Sequence, residues 1–243
     1  MIDNLSRYAY NDLAFTHPRT EALALIRHTR GIASSPHLWP QGSTLDISLF
    51  DMSDKAKEYV KKNINLWQPY TNLKFNFINT NDGDIRISGK EDGTGNWSLI
   101  GTQAKQKPVY EPTMHIDLIQ TPDRLNHSIR HEFGHALGLL HEHQHPDNNI
   151  QWDKEKLYDE SEKLGHTKQV TDENFLNHPD STTTITSAYD STSVMHYKVP
   201  PEVTTDGVGV AFNEDISEGD KQFIASLYPP VPLDKPQIVL LSA

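Results

Sequence analysis

The stretch His131-Glu132-Phe133-Gly134-His135-Ala136-Leu137-Gly138-Leu139-Leu140-His141 constrains this chain more than any other feature. Leu125, Ile129, Phe133, Ala136, Leu137 and Leu140 recur at helical spacing, which predicts a helix from about Pro122 to Leu140. With 3.6 residues per turn, His131 and His135 lie roughly 40° apart around the axis, so both imidazoles can reach one ion. Glu132 is rotated roughly 100° from His131, within reach of a water on that ion but badly placed to ligate it. Gly138 offers the left-handed residue that ends such a helix and turns the chain back. His141 then approaches from outside the helix. Three protein ligands leave the fourth position of a tetrahedral zinc open, as catalytic sites do and structural sites do not. The expected metal ligands are therefore His131, His135 and His141, with one Zn2+ and with Glu132 as general base.

Composition narrows the chemistry further. The chain has 243 residues and no cysteine, which removes disulfides, thiolate ligands and a cysteine nucleophile together. A metal must be held by His, Asp or Glu, and of the thirteen histidines several crowd between residues 127 and 145. The net charge of −11 is spread along the chain and repels phosphate backbones, so no nucleic-acid partner is expected. The longest apolar run is a short Ile-Val-Leu-Leu near the C-terminus, far below the roughly 20 residues of a membrane span. Met1–Phe15 lacks the basic and apolar regions of a secretory signal.

Along the chain, Thr20–Arg30 reads as a short helix. Leu45–Phe50 alternates apolar and polar residues and reads as a strand, after which Asp51 or Ser53 can cap a helix striped by Ala56, Val60, Ile64 and Trp67. Leu73–Ile78, Asp84–Ser88 and Pro112–Ile119 read as further strands, with a glycine-rich loop around Gly93 and Gly95 between the last two. Helices are expected near Lys154–Leu164 and, opened by Ser217 and Asp220, up to Pro229-Pro230. This order predicts an α+β fold: a mixed sheet with helices against it. The expected division is an N-terminal extension (1–38), a catalytic domain (39–230) and a tail (231–243).

Farther on stands Ser193-Val194-Met195-His196-Tyr197, where Met195 is expected to form an apolar floor under the three imidazoles. The long histidine motif with a downstream methionine turn is the metzincin pattern. HEFGHALGLLHE followed by SVMHY resembles the astacin branch, marked by Glu142 after the third histidine and Tyr197 after Met-His. Matrix metalloproteases are a near neighbour. The resemblance implies a two-lobed zinc endopeptidase with a twisted mixed sheet and a small irregular C-terminal lobe. Its protein or peptide substrate would lie along an edge strand, for which Pro112–Leu118 is the candidate. It also implies a catalytic role for Tyr197 and supporting roles for Gly138, Glu142 and Met195. Two departures stand out: astacins usually carry disulfides, and their short N-terminus tucks in near the residue matching Glu142. An endopeptidase is hazardous in its own cytoplasm, so action outside the producing cell is expected, with Met1–Leu38 either a latency or delivery segment or an extension packed on the lobe.

Weaker signals have plainer explanations. His143 and His145 read as polar loop residues beside the cleft rather than a second metal site. Asp82, Asp84, Glu91 and Asp92 could hold calcium, but EF-hand spacing is absent and turn chemistry accounts for them. Trp39, Trp67, Trp97 and Trp152 are assigned to packing.

Overall fold

Residues 30–90 and 95–230 are described by a computed structural model. The elements run β1 (Ile32–Ser34), β2 (Thr44–Phe50), α1 (Asp54–Ile64), β3 (Lys74–Ile78), β4 (Ile85–Ser88), β5 (Trp97–Ser98) and β6 (Met114–His115). They continue with α2 (Pro122–Ala136), α3 (Lys154–Lys163), α4 (Lys168–Thr171), β7 (Thr184–Thr186) and α5 (Glu218–Leu227). The main sheet has the order β3-β2-β4-β6-β5, parallel throughout except for the antiparallel β5–β6 pair. The α+β expectation holds: a mixed sheet with helices against it.

Local chemistry explains the frame. Ser53, not Asp51, caps α1, its hydroxyl accepting the Ala56 N–H. Val60 and Ile64 on α1, Ile47, Ile87 and Met114 on the sheet, and Ile129 and Phe133 on α2 share one core with Trp39 and Trp67. Each such fully buried side chain contributes about 1.5–3 kcal/mol. A second, smaller cluster joins Leu157, Phe175, Tyr197, Val199 and Val203.

Alternation in Asp84–Ser88 would put Arg86 on a wet face, yet all four residues of β4 are buried. The guanidinium is satisfied by backbone carbonyls, donating to Glu111 O at 2.7 Å, Gly83 O at 3.0 Å and Pro108 O at 3.3 Å. Arg86 thereby holds the connection between β5 and β6 against the sheet.

Three expectations need correcting. The strand expected over Pro112–Ile119 pairs only at Met114–His115, because Asn96 draws the chain away. Its Oδ1 accepts from Asp117 N–H at 2.9 Å and from the Gln120 amide at 3.0 Å. That strand also lies between β4 and β5, so it is not an edge; β5 is. Third, α2 ends at Ala136 rather than Leu140. The stretch before Trp39 is partly built into the domain: β1 pairs antiparallel with β7, and Ala33 bridges Leu139. The helix expected at Thr20–Arg30, apart from Arg30, and the tail 231–243 lie outside the described residues.

Candidate active site

The termination of α2 builds the site. Gly138 takes φ +104°, donating its N–H to His135 O at 2.8 Å, while Leu139 N–H reaches Gly134 O at 3.0 Å. The chain then runs against β1, Leu140 N–H bonding Ile32 O and Ser34 N–H bonding Gly138 O, each at 2.9 Å. This turn presents His141 to the helix face that carries His131 and His135.

The Nε2 atom of His135 lies 3.1 Å from Nε2 of His131 and 3.1 Å from Nε2 of His141. All three residues are buried, and this is the one His/Asp/Glu group among the described residues close enough to share an ion. The far side of each ring is engaged. His131 Nδ1–H donates to Val194 O at 2.8 Å, His135 Nδ1–H to Leu139 O at 2.8 Å, and His141 bonds the Gln144 side chain. Burial holds His131 and His141 well below the usual histidine pKa, with the neighbouring imidazoles adding to the effect. Three nitrogens therefore face one point with their lone pairs. A single proton could bridge only one pair of them, whereas a cation satisfies all three. Zn–N bonds of about 2.0–2.1 Å at tetrahedral angles separate ligand nitrogens by about 3.3 Å. The donor set fits zinc.

The turn Ser193–Tyr197 closes the site from below. A Cβ placed on Gly134 would lie 2.4 Å from Met195 Sδ, so the thioether rests against the helix between His131 and His135. The Tyr197 ring centroid is 4.3 Å from that of His141 and 5.8 Å from that of His131. Glu132 is buried on the turn that carries His131.

Beyond the metal shell, the structure revises several readings. His143 and His145, read as polar loop residues beside the cleft, are both fully buried. His143 Nε2–H donates to Asn174 O at 2.7 Å, and its ring stacks on Tyr197 at 4.4 Å. Glu142 is buried too, its Oε1 accepting Asp190 N–H at 2.7 Å while its own N–H donates to Met195 O at 3.0 Å. Burial, reinforced by nearby Asp220 and Asp190, pushes the Glu142 carboxyl up to about 9. Asp84 accepts Asp46 N–H in a turn, and Glu91 and Asp92 fall outside the described residues.

Two residues near the site escape sequence reasoning. His127 stands one turn before His131, its ring 5.2 Å from that of His131 and 4.7 Å from that of Phe212. Helical spacing back from His131 is the signal that could reveal it. Asp220 reads in the sequence only as part of a helix start, although it also bonds the methionine turn.

A helix delivering two imidazoles, a glycine turn delivering a third and a methionine packed against that helix define a zinc metallopeptidase of the metzincin kind. The profile of the Astacin peptidase family matches residues 32–206. A solved structure of myroilysin is 36% identical, with a TM-score of 0.78, and the alignment covers 83% of this chain and 100% of that one. High choriolytic enzyme 1, a hatching enzyme zinc-protease from the medaka fish Oryzias latipes, shares the fold. It aligns at 19% identity and a TM-score of 0.56 over 82% of this chain and 97% of that one. No curated protein sequence matches. The chain belongs to the astacin family of peptidases and is a zinc-dependent metalloendopeptidase.

Proposed function

We propose that the chain hydrolyses internal peptide bonds of proteins, with Glu132 as general base and Tyr197 as oxyanion donor. The observation that carries this reading is the convergence of three buried imidazoles, with Nε2 of His135 lying 3.1 Å from Nε2 of both His131 and His141. Zinc, when bound by His131, His135 and His141, supplies a Lewis acid for the scissile carbonyl and lowers the pKa of water to about 7. Glu132 takes a proton from the attacking water as its oxygen bonds the carbonyl carbon. The same carboxyl then passes that proton to the amide nitrogen as the C–N bond breaks, releasing an acid and an amine. The Tyr197 hydroxyl donates to the former carbonyl oxygen as charge develops there. Gly138, Met195 and Glu142 support the arrangement by turning the helix end, flooring the imidazoles and tying His141 to the methionine turn.

The substrate backbone extends β5, the edge next to the active helix. Asn96, just before β5, donates to Ser128 Oγ at 3.1 Å, and Ser128 lies one turn before Glu132. Glu132→Ala tests the assignment: cleavage of a denatured protein mixture should fall about 100- to 10,000-fold while one zinc per chain remains bound. Near-wild-type turnover in that variant would remove Glu132 from the mechanism. We also place the activity outside the producing cell, consistent with the hazard of free proteolysis within it. Active enzyme confined to the producer's cytoplasm would contradict this.

A further inference from the structure

The hydrogen bonds behind the metal site lead past the first carbonyl. His131 Nδ1–H donates to the carbonyl oxygen of the Val194–Met195 peptide at 2.8 Å. The N–H of that same peptide plane, on Met195, donates to Ser193 Oγ at 2.9 Å. Ser193 O–H in turn donates to Asp220 Oδ1 at 2.6 Å. The other carboxylate oxygen, Oδ2, accepts Val194 N–H at 2.9 Å and Ser217 N–H at 2.8 Å. Asp220 also donates its own N–H to Ser217 Oγ at 2.9 Å, which fixes the carboxylate at the head of α5. It is only 2% exposed, although it belongs to a helix far from α2 in sequence.

We infer that Asp220 is a positioning residue for the metal ligand His131, acting through Ser193 and the Val194–Met195 peptide; the inference rests on the reading of His131 as a zinc ligand. A peptide plane can rotate about its flanking bonds, and rotation here would swing the Val194 oxygen away from Nδ1. Asp220 opposes that rotation through Ser193, which holds Met195 N–H in the same plane, and its direct bond to Val194 N–H fixes the peptide plane just before it. Bonds to a carboxylate are shorter and stronger than neutral ones, and successive donors along a chain polarise one another. The carboxylate therefore makes the Val194 oxygen a better and better-aimed acceptor, which sets the tautomer and direction of the His131 ring. Residues that orient a metal ligand from behind typically affect affinity or activity 10- to 100-fold.

The test is zinc affinity, measured by competition with a chromophoric chelator on the full chain well below its melting temperature. Asp220→Ala should weaken zinc about 10- to 100-fold. Asp220→Asn keeps an acceptor for the two N–H groups and loses the charge, so it should fall between Asp220→Ala and wild type. Ser193→Ala cuts the indirect path alone and should weaken zinc in the same direction, which keeps the test alive should Asp220→Ala not fold. Leu227→Ala, a buried core truncation on the same helix, should lower the melting temperature without changing zinc affinity. Wild-type affinity in Asp220→Ala and Ser193→Ala, or losses no larger than in Leu227→Ala, would overturn the inference. Failure of the wild-type chain to bind one zinc would instead overturn the underlying assignment of His131.

Discussion

Gly134→Ala sets two well-known effects against each other at the metal site. Gly134 lies inside α2, where alanine is ordinarily better than glycine by about 1 kcal/mol. In an exposed helix the substitution would therefore stabilise. Here the new methyl carbon would lie 2.4 Å from Met195 Sδ, 3.2 Å from its Cε and 3.5 Å from Leu139 Cδ1. Comfortable contacts between such atoms fall at about 3.5–4.0 Å, so the thioether must retreat by more than about 1 Å. Overpacking of this kind costs about 1–3 kcal/mol. Methionine is flexible, which favours the lower end, but Met195 is 2% exposed and has little room. The net expectation is a destabilisation of up to about 2 kcal/mol, or a melting temperature lower by up to about 8 °C for a domain of this size. Thermal unfolding followed by circular dichroism, with zinc and with chelator, measures it. In a Met195→Ala background the methyl has space, so the same substitution should cost less, with a coupling of about 0.5–3 kcal/mol. A Gly134→Ala protein more stable than wild type would refute the contact and the placement of Met195 beneath the helix.

Two further outcomes follow from the site. Tyr197→Phe keeps the ring that packs on His141 and stacks on His143 and deletes the hydroxyl; kcat should fall about 10- to 1,000-fold with zinc content and melting temperature little changed, and an unaltered kcat would exclude the oxyanion role. Glu142, raised to about 9 chiefly by burial, holds a proton in the folded chain that the unfolded chain releases near 4.5, so its contribution to stability is complete below pH 4.5 and lost as pH rises through 9. Glu142→Gln keeps the acceptor for Asp190 N–H and cannot ionise, so wild type should lose stability relative to it between about pH 5 and 9; parallel melting curves across that range would contradict the buried, protonated carboxyl.

What is legible in the sequence depends on how local its cause is. His131 and His135 follow from helical spacing, and Gly138 announces the turn that adds His141. The α1 cap and the core stripe of Val60 and Ile64 are likewise local. β1 and β7 escape because each is three residues long and pairs across most of the chain, leaving no periodicity to count. The burial of Arg86 is hidden because its partners are backbone carbonyls, which carry no side-chain signature. The burial of His143 is hidden for a related reason: its partners, Asn174 O and the Tyr197 ring, come from distant segments. The edge strand is misplaced because alternation identifies a strand but says nothing of its neighbours, and Asn96 cuts the pairing short.

The methionine turn, by contrast, joins parts of the site that lie far apart in the chain. Its backbone and side chains meet three separate elements at once. Val194 O receives His131 from α2, Met195 O receives the N–H of Glu142 beside the third ligand, and Asp220 from α5 holds Ser193 and Val194 from behind. Asp190 N–H, donated to Glu142, ties the approach to this turn back to the same ligand segment. His131 and His135 could be set by α2 alone, but a third ligand on a separate turn needs a rigid reference common to both. Met195 supplies the apolar contact beneath Gly134, and the hydrogen bonds around it fix its height against the helix. A short, cysteine-free turn can do this without a covalent crosslink because each of its polar backbone groups named here ends on a buried partner, so any displacement strands a donor or an acceptor away from water.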